Sequence, residues 1–202
     1  MKKSLILIVA CIFAFATVHA QNSEVETATQ LTKAEQFLAK TSLVKKETVY
    51  KHQGGGLKIL ARVFTDMKTG EKIAALEFQP SSGAQLLANG LAGHLGYLDM
   101  ENVDDLLLAL ETILAETNSS SKKDEYTLTY TAPGGIDVSY FLEGGILNGT
   151  LYFRRKSYYI NEFGVRTEYT AGSTASDIKT LPKLIDDIKE SKRIALQMIA
   201  QE

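Results

Sequence analysis

Tryptophan is absent from this 202-residue chain; cysteine occurs once, and proline and histidine three times each. A single Cys cannot build a disulfide framework or a multi-cysteine zinc site. Basic and acidic residues nearly cancel, 22 against 24, so there is no global pull toward nucleic acid or anionic lipid. Any charge-driven partner would need a local patch. What is present is an ordinary globular composition, 45% apolar and 23% charged, unlike a disordered or low-complexity chain.

The N-terminus reads as a secretory signal peptide. Lys2 and Lys3 precede the apolar run Leu5 to Val18, and Val18-His19-Ala20 provides a cleavage site before Gln21. A lipoprotein reading of Ile8-Val9-Ala10-Cys11 is disfavoured, because it leaves a very short apolar region and a greasy start from Ile12 to Val18. The sole cysteine, Cys11, leaves with residues 1–20. The expected product is exported, periplasmic or extracellular, with no membrane span after cleavage. Residues 21–30 read as a flexible leader and 31–202 as a single α+β domain.

Within that domain two runs of alternating strands each end in an amphipathic helix. A short helix at Leu31, Ala34, Phe37 and Leu38 comes first. A weak strand near Val44 to Lys51 is followed by strands carrying Leu57, Ile59, Ala61 and Val63, then Ala74, Leu76 and Phe78. Lys68-Thr69-Gly70 is the hairpin turn between them. A helix over Glu101 to Thr117, capped by Asn102, closes the first half. In the second half Tyr126, Leu128 and Tyr130 alternate, as do Ile136, Val138, Tyr140 and Leu142. Asn148-Gly149 turns the chain into Leu151 and Phe153, and Val165, Thr167 and Tyr169 suggest another strand. A helix from Leu181 to Ala200, with Thr180 as cap and Pro182 in its first turn, ends the chain.

The expected architecture is therefore antiparallel sheet with helices on one face, a tandem duplication of a strand-strand-strand-helix unit over about 43–117 and 125–200. An offset of 78 residues superposes the helix stripes, Leu106 on Leu184 and Leu110 on Ile188, and 79 superposes Leu57 on Ile136. The plan is similar in outline to saddle-shaped two-repeat folds such as the β-lactamase-inhibitor-like one. That likeness rests on element order alone and implies no activity.

Candidate chemistry is sparse. His94, near Asp99 and Glu101, could serve as a general base oriented by a carboxylate, which makes a secreted hydrolase the alternative reading. No HExxH, nucleophile elbow, EF-hand loop or P-loop accompanies it. No catalytic residue, metal ligand or cofactor is therefore assigned. The acidic group Asp99, Glu101, Asp104 and Asp105 reads as helix-start chemistry. His52, beside Gly54-Gly55-Gly56, carries still less weight.

The most distinctive surface is a strand face offering Tyr152, Arg154, Lys156 and Tyr158, with Arg155 and Tyr159 nearby. Aromatic plates beside guanidinium groups suit a glycan, an anionic polymer or a protein partner, through stacking and hydrogen bonding. The expected function is that of an exported, non-enzymatic binding protein using this face. In the first half Leu60, Phe64 and Ile73 fall on the face away from the main stripe. They require cover, expected from the helix at Leu31, Phe37 and Leu38.

Overall fold

A computed structural model describes residues 31–54, 56–81, 94–119, 125–142, 149–160 and 166–201. The chain is α+β, built as two four-stranded antiparallel sheets with three helices packed against them. The first sheet has the order β1 (Val44–Gly54), β2 (Leu57–Asp66), β3 (Lys72–Pro80), β4 (Gly96–Asp99). The second repeats that simple meander with β5 (Tyr126–Thr131), β6 (Ile136–Leu142), β7 (Thr150–Ile160) and β8 (Arg166–Asp177). Helix α1 (Lys33–Lys40) precedes the first sheet, α2 (Val103–Ser119) follows it, and α3 (Leu181–Ala200) follows the second. Residues 1–30, where a signal peptide and leader are expected, Asn148 of the second hairpin turn and Val165 of the last expected strand lie outside the described residues.

Alternation marks the strands because the apolar residues of each gather on the face turned to the shared core. Leu57, Ile59, Ala61 and Val63 on β2 and Ile136, Val138 and Tyr140 on β6 all enter one apolar cluster with Leu106, Leu110, Leu184 and Ile188. The 68–70 turn forms as expected. Asp66 N–H donates to Glu71 O, Gly70 N–H to Asp66 O, and Gly70 takes φ 78°, where a side chain would be strained.

Helices α2 and α3 do not cover the sheets that precede them. Helix α3 lies across β1, β2 and β3 of the first sheet, whereas α2 lies beside β5 of the second, and the two helices pack on each other. The shared cluster therefore draws on both halves. A β-bulge at Thr48/Tyr50 adjusts the pattern on β1. Before it Lys46 and Thr48 pair with Phe64 and Arg62; after it Tyr50 and His52 pair with Ala61 and Ile59 and so face α3.

Helix α1 packs on the opposite face of the first sheet, where Ala34 and Phe37 meet Phe64, Ala75 and Tyr97, with Leu38 and Ile73 alongside. This supplies the expected cover over Phe64. Leu31 takes no part, being 52% exposed. The start of α1 carries a capping box: Glu35 N–H donates to Thr32 Oγ1, and Thr32 N–H to Glu35 Oε2.

Three local expectations are corrected. The first half has a fourth strand, β4, whose four residues are too few to show alternation. Helix α2 is entered through a 3₁₀ turn, Met100–Asn102, rather than starting at Glu101. Thr180 makes no side-chain cap, because its hydroxyl donates to Asp177 O; Asp177 Oδ1 accepts from Lys179 N–H and caps the 3₁₀ turn ahead of α3. Pro182 does sit in the first turn of α3.

Asp99 carries helix-start chemistry for a different helix from the one expected. Its carboxylate accepts from the α1 amides Lys33 N–H at 2.7 Å and Ala34 N–H at 3.1 Å, 66 and 65 residues away. Asp99→Ala should leave both sheets folded, cost about 1–2 kcal/mol and raise amide hydrogen exchange selectively in residues 33–40. Unaltered exchange there would show that α1 is held by its apolar contacts alone.

Candidate functional site

The outer face of the second sheet is assembled by strand register. Rows across the sheet run Thr127–Phe141–Thr150, Thr129–Ser139–Tyr152–Ala175 and Thr131–Asp137–Arg154–Ser173. Alternation sends their neighbours Leu128, Val138, Tyr140, Leu151 and Phe153 into the core. Arg154 lies over two rings, its Cζ 4.8 Å from the Phe141 centroid and 5.0 Å from that of Tyr152, and those rings meet edge to face at 5.5 Å. Among the described residues its guanidinium has no ion pair.

Asp137 is the anchor beneath this face. Although it is buried, its Oδ1 accepts from Thr131 Oγ1 and its Oδ2 from Ser139 Oγ, both at 2.9 Å. Lys156 Nζ stands 3.6 Å away. The structure thus brings Tyr152, Arg154 and Lys156 to one face, all partly exposed. Tyr158 pairs with Glu168 in the ladder, but its side chain lies outside the described residues. Arg155 points the other way: it donates to Leu95 O and reaches Glu35 Oε1 at 3.2 Å, tying the second sheet to α1.

His94 and Asp99 are not partners, since Asp99 is engaged with α1. The carboxylate beside His94 is Glu77, a side chain that no short spacing marked. His94 Nδ1 stands 3.4 Å from Glu77 Oε1, too poorly aligned to form a hydrogen bond, and its ring packs on Tyr97 at 4.5 Å. Buried Glu77 also receives Arg62 Nε at 2.5 Å, Lys46 Nζ at 3.0 Å and Gln79 Nε2 at 2.7 Å. Lys46 Nζ donates in addition to Tyr97 Oη. Glu77 is thus a carboxylate saturated by cations and an amide, while His94 Nδ1 has no hydrogen-bond partner among the described residues.

His52, given little weight beside the triglycine turn, is buried in a second polar centre. Its Nδ1 lies 2.5 Å from Asp187 Oδ2 on α3, which also accepts from Lys183 Nζ at 2.7 Å; Tyr50 Oη donates to Oδ1 at 2.9 Å. The signal was there in the sequence. Asp187 stands between Leu184 and Ile188 on the apolar stripe of α3, where an unpartnered carboxylate would be costly. Burial alone would raise its pKa, but the hydrogen bonds from Lys183, His52 and Tyr50 outweigh that and lower it.

Among the described residues no group of three His, Cys, Asp or Glu side chains could hold a metal ion, and no helix is long and apolar enough to cross a membrane. No family model, curated protein or solved structure matches the chain.

The Glu77 centre gives a pH dependence with a definite sign. Burial alone would raise the Glu77 carboxyl, yet contacts from His94, Arg62, Lys46 and Gln79 hold it far below its ordinary 4.5. A carboxyl depressed by folding adds stability that is complete above its unfolded pKa and is lost as pH falls through the folded one. Stability should therefore decline below about pH 4.5. Glu77→Gln should cost about 3 kcal/mol at pH 7 by leaving Arg62 and Lys46 without their carboxylate, and should make the acid decline shallower. Urea unfolding across the pH range measures both; a decline of unchanged steepness would remove Glu77 as a source.

Proposed function

We propose that the protein is an exported, non-enzymatic binding protein, periplasmic or extracellular, and that the outer face of the second sheet takes its ligand. The observation that carries this reading is Arg154: a guanidinium stacked on Phe141 and Tyr152, with no carboxylate partner among the described residues. A cation held on rings has its donors fixed in direction before a ligand arrives, so little side-chain freedom is lost on binding. The neighbouring carboxylate, Asp137, is engaged with Thr131, Ser139 and Lys156 and does not compete for it.

The ligand chemistry that suits this face is an acidic glycan. Its carboxylate would meet the Arg154 fork and its sugar ring the exposed part of Tyr152, with the threonine hydroxyls of β5 alongside. An acidic protein segment is the other partner such a face accepts.

Thermal shift with polygalacturonate, against neutral dextran, tests the face directly. The wild type should be stabilised by the acidic polymer only, and Tyr152→Ala with Arg154→Ala should abolish the shift while changing the ligand-free midpoint little. A shift that survives both substitutions would remove this face. Export is tested separately: secreted material should begin at Gln21, and retention of residues 1–20 would overturn it.

A further inference from the structure

A second surface lies at the free edge of the same sheet. Between α2 and β5 runs a groove of about 450 Å³, lined by Asp105, Leu108, Ala109, Thr112 and Ile113 from the helix and Leu128, Thr129 and Tyr130 from the strand. Asp105, Leu108, Ala109 and Thr112 follow one another at helical spacing, so one stripe of α2 forms a wall. The strand contributes three consecutive residues, whose side chains alternate between the two faces of the sheet. A cavity touching all three lies along the strand's edge and reaches its backbone.

Among the described residues β5 pairs with β6 alone, so along its other edge alternate residues turn their N–H and C=O groups outward. Each other edge strand carries a device that discourages pairing. β1 has Lys45, Lys46, Glu47 and Lys51 and a bulge; β4 is four residues long; β8 has Arg166, Glu168 and Asp177 and a register shift opposite Arg155/Lys156. β5, reading YTLTYT in unbroken register, has no charge, proline or bulge.

Two further observations point to an occupant. Leu108, on the wall of the groove, is 64% exposed. The hydroxyl of Tyr130 is buried without a hydrogen-bond partner among the described residues, a vacancy that native structures seldom leave. Asp105 is the sole charged lining residue, has no ion pair among the described residues, and lies close enough for its charge to act on Tyr130. Thr112 adds no free donor, because its hydroxyl donates to Leu108 O.

We infer that β5 accepts an extended segment of a partner polypeptide as a fifth strand, with apolar side chains against Leu108, Ala109 and Leu128 and a basic side chain at Asp105. Main-chain pairing gives such a site its affinity, and the pockets for alternate side chains give its specificity. The chain's own leader fits poorly, since residues 21–30 contain Glu24 and Glu26 and no basic residue. The inference is independent of the Arg154 face.

The test uses the whole mature protein and a fluorescein-labelled octapeptide of alternating valine and threonine bearing one lysine, read by anisotropy. The lysine peptide should bind about tenfold more tightly than its glutamate counterpart, and Asp105→Lys should reverse that order. Leu108→Lys should weaken both peptides about tenfold. Both substituted residues are exposed, and unchanged thermal midpoints verify the fold. Peptides N-methylated at odd or at even positions separate strand addition from simple apolar capture: one set should lose binding and the other keep it. Equal binding of the two sets, or no saturable binding at all, would overturn the inference. So would sedimentation as a dimer that Leu108→Lys dissolves, since a second copy would then fill the groove. Tyr152→Ala with Arg154→Ala should leave peptide binding unchanged, which keeps failure here distinct from failure of the glycan reading.

Discussion

On the face of α3 that meets the first sheet, Asp187 stands among Leu184, Ile185 and Ile188 and reaches across to Tyr50 and His52 on β1. The contact joins residues more than 130 positions apart. Apolar burial can hold a helix on a sheet at several rotations and offsets, because hydrophobic attraction has no direction. A buried carboxylate that needs particular donors has few acceptable positions, and misplacement leaves it unpaired in a low dielectric. The bulge at Thr48/Tyr50 belongs to the same arrangement, since it sets the pairing of Tyr50 and His52 with the inward-facing residues of β2. Through Asp187 the first sheet acquires a cover that its own half does not provide.

That exchange of helices accounts for the asymmetry between the two sheets. The first is packed on both sides, by α3 within and by α1 without, and its outer polar groups are drawn into the Glu77 and Asp99 centres. The second has its inner side in the common core, and no helix among the described residues lies on its outer side. Among the described residues its outer face and the edge at β5 are therefore left without a covering element. Two sheets of the same strand order thus end with different surfaces, the first covered by helices on both sides and the second, among the described residues, on one.

Elements defined by local periodicity were legible in the sequence: β2, β3, β5 and β6 by alternation, α2 and α3 by their stripes, the 68–70 hairpin by its glycine. The face carrying Tyr152, Arg154 and Lys156 followed from the same parity. Elements defined by distant partners were not. Gly96–Asp99 becomes a strand by pairing with β3, since four residues hold no pattern of their own. Asp99 looked like part of its own helix start because proximity in sequence is the only proximity a sequence displays; its true partners are amides in α1. Glu77 gave no hint, being one polar residue on an alternating strand. Phe141, the second ring beneath Arg154, interrupts an otherwise polar row, so alternation alone does not mark it.

The exchanged helices also make the first sheet depend on the far end of the chain. β1 to β3 are translated more than a hundred residues before α3, yet α3 is what covers their inner face. A nascent chain that has produced the whole first sheet still lacks its lid, so that sheet gains little by assembling early. The inner face of the first sheet is therefore complete only when the long-range contact with residues 181–200 has formed.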